Sequence, residues 1–286
     1  MAEFPSEEEE LAHDGDPPSG PFPLPVRGDT AARPAPDRRR PGRYCYLFDV
    51  DEELAGDLDL RMRLVARPLV TARVEQISAG EFDLVPLLAQ LRGGLGLLLI
   101  EGVVALDVQV GDRTASELVG AGDLLAPWTN AADVVLLASE TFSRALVRTR
   151  VAVLDAGFAE RIRPWPQILH ALLRRAVRRT MELNIHRAAT CHPRADARIA
   201  LLLWHLAERW GVVVADGILV PLPLTHRLIG QLVGAERPSV SHALSRLASA
   251  GLVTRDPNSL VLHGTAAHHI SALVDREERS AGHDRA

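Results

Sequence analysis

Lysine is missing from the 286 residues, so all 32 basic side chains are arginine. A replacement that runs through the whole chain is a mark of coding bias, and arginine content alone is weak evidence for phosphate binding. Cysteine is nearly as scarce. With Cys45 and Cys191 as the only two, one chain cannot build a disulfide framework, a four-thiolate zinc site or an all-cysteine iron–sulfur cluster. Long apolar runs are lacking as well: residues 94–100 form one of the longest, far short of the ~20 that cross a bilayer. The acidic, proline-rich N-terminus has no signal-peptide layout, so a cytoplasmic location without membrane contact is expected. No nucleophile–base constellation, phosphate-binding glycine loop or metal-ligand motif stands out, which argues against an enzyme.

What is present is a balanced composition, 47% hydrophobic and 24% charged, over a length that suits two folded modules and a tail. The net charge of −5 hides an asymmetry: the first 60 residues carry 15 acids against 6 arginines, the rest 22 against 26. Nine of the 19 prolines fall in the first 41 residues, beside glutamates 7–10 and arginines 38–40. Residues 1–42 are therefore expected to be a disordered tail whose arginine triplet is either a solvated charge run or a DNA-touching arm. At the other end, 271–286 is expected to be a second tail.

From 43 to about 154 the chain alternates short apolar runs (44–50, 69–77, 95–110, 118–125, 134–138, 145–154) with Gly, Asp and Pro. This is the pattern of a β-sandwich or barrel, and 43–160 is read as one such domain. Gly120 to Asp123 reads as a turn within it, and Cys45 as a strand residue. The pattern then becomes helical. Ile168, Leu169, Leu172, Leu173, Ala176, Val177, Thr180 and Leu183 recur at three and four, opposite arginines 174, 175, 178 and 179. Such a helix, within 161–192, either packs on its own domain or pairs with a second copy. A second helix spans 195–210 with Ile199, Leu202, Leu203, Leu206 and Trp210 on one side, followed by a hairpin over 212–222.

Residues 224–253 carry the most information. Thr225 is a good helix N-cap, Leu228, Ile229, Leu232 and Val233 give a short helix one apolar face, and Gly234 can end it. Pro238 suits the first turn of a second helix, in which Val240, Leu244 and Leu247 bury together. Arg237, Ser239, Ser241, His242, Ser245 and Arg246 are thereby turned outward. Two short helices joined this way form a helix-turn-helix whose second member enters the major groove. Arg237 suits bidentate contact with guanine, and His242 lies one turn further on. Ser239 and Ser241, and the N–H groups of Thr225, His226 and Arg227, suit phosphates. Strands over 252–255 and 260–263 complete a wing, which places Arg255 and His263 near the nucleic-acid backbone.

The stretch from 196 to 264, above all Leu224-Thr-His-Arg-Leu-Ile-Gly-Gln-Leu-Val-Gly and Arg237-Pro-Ser-Val-Ser-His-Ala-Leu, resembles the DNA-binding domain of the Crp/Fnr family of bacterial transcription regulators. The resemblance implies an α+β chain: an N-terminal β-roll or jelly-roll sensor-like domain (43–160), a long dimerisation helix (161–192) and a C-terminal winged helix-turn-helix (193–270). It also implies a homodimer on double-stranded DNA with a pseudo-palindromic site, and RNA polymerase as a further partner. Thr225, Arg237, Ser239 and His242 take the positions that the family uses to hold phosphates and read bases, while Pro238 stands where a polar reader is common. The rival expectation is a small-molecule sensor or scaffold whose winged helix contacts proteins.

Cyclic-nucleotide binding in such a β-roll needs a glutamate for the ribose and an arginine with a hydroxyl neighbour for the phosphate. Gly122-Asp123-Leu-Leu leads into that cassette, but 126–133 replaces what should follow, and Arg144 and Arg148 come too late. Neither cAMP nor cGMP is expected to bind in the usual way, Trp128 being available to fill the space, and no cofactor is expected. His186, Cys191 and His192 offer metal-ligand chemistry at a spacing that matches no template. His268 and His269 read as an exposed pair.

Overall fold

The computed structural model describes residues 43–91, 93–125, 140–256 and 259–269. In chain order the elements are β1 (Arg43–Tyr46), α1 (Leu47–Val50), α2 (Leu60–Ala66), β2 (Thr71–Ile77), β3 (Gly80–Phe82), α3 (Val85–Leu88), β4 (Gly96–Glu101), β5 (Val103–Val110), β6 (Arg113–Gly120), β7 (Leu124–Leu125), β8 (Glu140–Ala145) and β9 (Thr149–Leu154). They are followed by α4 (Ala156–Ile162), α5 (Pro166–Thr190), α6 (Ala195–Trp210), β10 (Val212–Val214), β11 (Gly217–Val220), α7 (His226–Val233), α8 (Arg237–Ser249), β12 (Val253–Asp256) and β13 (Ser259–Leu262). The sequence patterns for two antiparallel-sheet and helical halves are both realised.

Two antiparallel sheets, β1-β2-β9-β4-β7 and β3-β8-β5-β6, enclose Leu97, Leu99, Val104, Val119, Val151 and Val153. The outer face of the first sheet is covered too. Leu98, Ala152 and Leu154 pack against Leu47, Leu54, Phe158, Ile162, Ile168 and Leu172. A strand buried on both faces needs apolar residues at every position, which explains the unbroken run of leucines in β4. The sequence reading of 95–110 as one apolar stretch is corrected: β4 and β5 belong to different sheets and part at Gly102. Likewise 44–50 divides into β1 and α1, and α2 follows where no helix was expected. The 134–138 run, Trp128, the replaced cassette and both tails lie outside the described residues.

The outer face of the second sheet is covered by the C-terminal half. Val103, Ala105 and Leu118 share one core with Ile199, Leu203, Leu206, Ile229, Leu232, Val240 and Leu247. Sensor-like domain and winged helix are therefore packed together rather than strung on a linker.

The long helix is corrected in one respect. Arginines 174, 175, 178 and 179 do not share one face: 174 and 178 are exposed, whereas 175 and 179 lie with Ile168 and Leu172 along one stripe against the chain's own β-domain. Arg175 is only 3% exposed, bound to Asp51 and to the carbonyl of Gly122. Arg179 forks onto Glu117 with two bonds of 2.7 Å, while Arg174 reaches Asp57 at 2.6 Å. Of the remaining apolar residues, Leu169, Leu173, Val177, Met181 and Ile185 follow one another at steps of four and stand exposed, as does Leu183 beside them.

Candidate nucleic-acid interface

The helix-turn-helix is built by short-range chemistry. Thr225 Oγ1 accepts from the Leu228 N–H at 3.1 Å and caps α7. Gly234 closes it in the left-handed region, φ 62° and ψ 43°, where a side chain would be strained. Pro238 occupies the first turn of α8, and Val240, Ala243, Leu244 and Leu247 are buried beneath it. Arg237, Ser239, His242, Ser245 and Arg246 then face solvent, as do Thr225 and Arg227 on the neighbouring helix.

Three of the sequence-derived site residues are bound to one another rather than free. His226 is half-buried, with Nδ1 2.8 Å from Ser241 Oγ on α8. Arg255, on the wing strand β12, donates through its first terminal nitrogen to His226 Nε2 and through the second to the Leu224 carbonyl at 3.1 Å. Ser241 and Arg255, which the sequence assigns to phosphate and backbone contact, are thus engaged within the protein in this state. Burial, then the guanidiniums of Arg255 and Arg237, depress the His226 pKa and favour the neutral ring.

His263 bonds Thr254 Oγ1 and the Asp216 carbonyl, each at 2.7 Å, so it fastens the wing to the β10–β11 turn. His269 is not exposed at all: it is fully buried, edge-on to Trp204 at 5.1 Å, with Nε2 2.7 Å from the His263 carbonyl. The edge-on contact with the indole and the bond to the His263 carbonyl hold the ring inside. His186 bonds the Leu232 carbonyl at 2.7 Å, and no group of three or more metal-ligating side chains occurs among the described residues.

Two supports were not legible beforehand. Arg198 of α6 donates to the carbonyls of Val233 and Gly234 at 2.9 and 3.2 Å, closing the C-terminus of α7 from outside. Asp196, 1% exposed, accepts from Arg194 at 2.7 Å and pairs with Arg246 of α8 at 3.3 Å. Burial alone would raise the Asp196 pKa, and the two arginines reverse this and hold it down. Only the sequence distances, 35 and 50 residues, separate these pairs from a local motif.

Residues 197–266 match the Crp-like helix-turn-helix domain family. The CRP-like cAMP-activated global transcriptional regulator of Mycobacterium tuberculosis is 32% identical over 105 residues, 35% of this chain and 47% of that protein. The C-terminal part of the chain is thus a Crp-like helix-turn-helix domain. A second curated relative, the global nitrogen regulator of a Nostoc species, is 24% identical over 128 residues, 44% of this chain and 57% of that one. The matched segments span between 32% and 59% of the curated relatives' lengths. In fold, a CRP-family transcriptional regulator from Thermus thermophilus superposes with a TM-score of 0.51 at 22% identity, covering 68% of this chain and 93% of that one. A cyclic nucleotide-binding domain containing protein from Listeria monocytogenes gives 0.53 at 12%, covering 66% and 88%. Over those shares the β-domain, long helix and winged helix have the fold of these two structures. Among the described residues no helix is long and apolar enough to cross a membrane.

Proposed function

We propose that this chain is a sequence-specific, double-stranded-DNA-binding transcription regulator, cytoplasmic and without enzymatic activity, that works as a homodimer on a pseudo-palindromic site. The observation that carries the reading is the outer face of α8. Arg237, Ser239 and His242 are exposed together at the start of a helix whose opposite side is buried, in the arrangement that reads a major groove. Arg237 would take guanine O6 and N7, and Ser239 and Arg227 the flanking phosphates. The exposed row Leu169, Leu173, Val177, Met181 and Ile185 supports pairing of α5 with a second copy, which would set the two α8 helices about one duplex turn apart, ~34 Å. RNA polymerase is the protein partner that this reading carries with it.

The test is selection of bound duplexes from a random pool, followed by a salt titration of the enriched sequence. Two inverted half-sites and an affinity that falls steeply with salt through counterion release are expected. An unenriched pool together with salt-insensitive binding would favour the winged helix as a protein-contact module. For the effector, the same reading holds that neither cAMP nor cGMP is the ligand. Saturating nucleotide should leave the melting temperature unchanged, since any ligand of the native state must raise it.

A further inference from the structure

One hydrogen-bonded chain links three elements of the proposed DNA-facing surface. Arg255 belongs to the wing, His226 to the first turn of α7 and Ser241 to α8, so the three parts that must meet a duplex at once are tied through a single imidazole. The direction of donation is fixed by chemistry. A guanidinium can only donate, so His226 Nε2 must present its lone pair to Arg255, and Nδ1 carries the hydrogen that goes to Ser241 Oγ. This tautomer is neutral. Add a proton, and Nε2 becomes a donor facing a donor: the Arg255 bond is lost and two cations stand side by side.

Resting on the DNA-binding reading above, we propose that His226 is a positioning residue that parks the wing arginine in the free protein, and that DNA binding takes up a proton at His226 and releases Arg255 to a backbone phosphate. Arg255 on β12 and Arg237 on α8 are the charges that face the ring, and both disfavour its protonation in the absence of DNA. Duplex phosphates reverse the balance. They neutralise the two arginines and supply acceptors for the new imidazolium N–H and for the freed guanidinium. Arg255 retains its hold on the Leu224 carbonyl as a pivot, so its movement is a swing of the side chain and requires no rearrangement of the wing.

Linkage gives the sign. If the bound complex holds one more proton than the free partners, affinity rises as pH falls, by at most ~10-fold per unit, in the window between the free and the bound pKa of His226. The probe is a labelled duplex of about 30 base pairs and mixed sequence, with binding followed by anisotropy at constant salt from about pH 8 down to about pH 5.5. Wild type should tighten as pH falls, and His226→Gln, whose amide oxygen can accept from Arg255 but cannot titrate, should lose that part of the slope. A slope that survives intact in His226→Gln assigns the proton to another group, such as His242 on the same face, and overturns the proposal, as does a wild type whose affinity does not depend on pH. A direct reading needs no variant: the ring nitrogens of His226, titrated by nitrogen-15 NMR, should show a higher pKa with duplex than without. An equal or lower value also overturns it. If the protein binds no duplex at any pH, the DNA-binding reading itself has failed, which is a different outcome from a missing slope.

Discussion

Arg237 and Arg227 are both exposed arginines near the start of a helix, yet they are expected to fail differently when removed. Arg237 stands in the first turn of α8, where the proposed function has it read a base edge, so Arg237→Ala should cost about 1–3 kcal/mol on the selected site and relax preference at one base pair. Arg227 lies on α7, the helix that crosses the backbone in the proposed complex, so Arg227→Ala should weaken every duplex alike and lower the salt slope by about one. Competition binding with selected and scrambled duplexes separates the two. Equal losses on both for Arg237→Ala would make it a phosphate contact only. At the same scale, His269 is a buried imidazole whose pKa is lowered first by burial. Its folded value lies below the unfolded one, so its share of stability is complete above the unfolded pKa of ~6.5 and is lost as pH falls below it. Thermal melts of wild type and His269→Asn at about pH 7.5 and pH 5.5 should therefore differ, with the variant losing less on acidification. An equal loss in both would show that His269 does not carry this dependence.

Elements show what a linear sequence can and cannot declare. The cap at Thr225, the left-handed stop at Gly234 and the Pro238 start of α8 are decided within a few residues, which is why the helix-turn-helix was legible almost to the residue. The two faces of α5 were not. A period of 3.6 shows which residues share a side but not what covers it, and Arg175 can be buried only because Asp51, 124 residues away, meets it. The β4–β5 boundary was hidden for a related reason: a strand covered on both faces has no alternation to read. The same ambiguity of cover makes α5 testable. If its exposed row is the seam between two copies, Leu173→Glu together with Val177→Glu should halve the mass seen by sedimentation and weaken binding to the two-half-site duplex, while far-ultraviolet circular dichroism stays that of the folded chain. A dimer that persists in the double variant would place the seam elsewhere.

At the scale of the molecule, the question is how a β-domain could govern a recognition helix, and the contacts between β6, the following turn and α6 offer the mechanical answer. Trp210 lies so close over Gly120 that a Cβ there would come within 2.7 Å of the indole nitrogen. Asp123, three residues on, accepts from the Gly120 N–H at 2.7 Å and from Arg209, which also holds Glu182 of α5 at 2.9 Å. The turn after β6, the long helix and the end of α6 thus meet at one guanidinium. With Leu118 and Val103 joined to the winged-helix core beside it, the two halves should unfold as one. Calorimetry of wild type is expected to show a single transition. Asp123→Asn keeps an acceptor for Gly120 but removes the charge facing Arg209. Because Arg209 is partly exposed and keeps Glu182, the cost is expected to be about 1–3 kcal/mol rather than that of an abandoned buried charge. If this contact couples the halves, that loss should appear as a resolved, earlier melting of the winged helix. A lower but still single transition would assign the coupling to the apolar contact of Leu118 and Val103, and Leu118→Ala, costing about 2–5 kcal/mol, should then be the substitution that separates them.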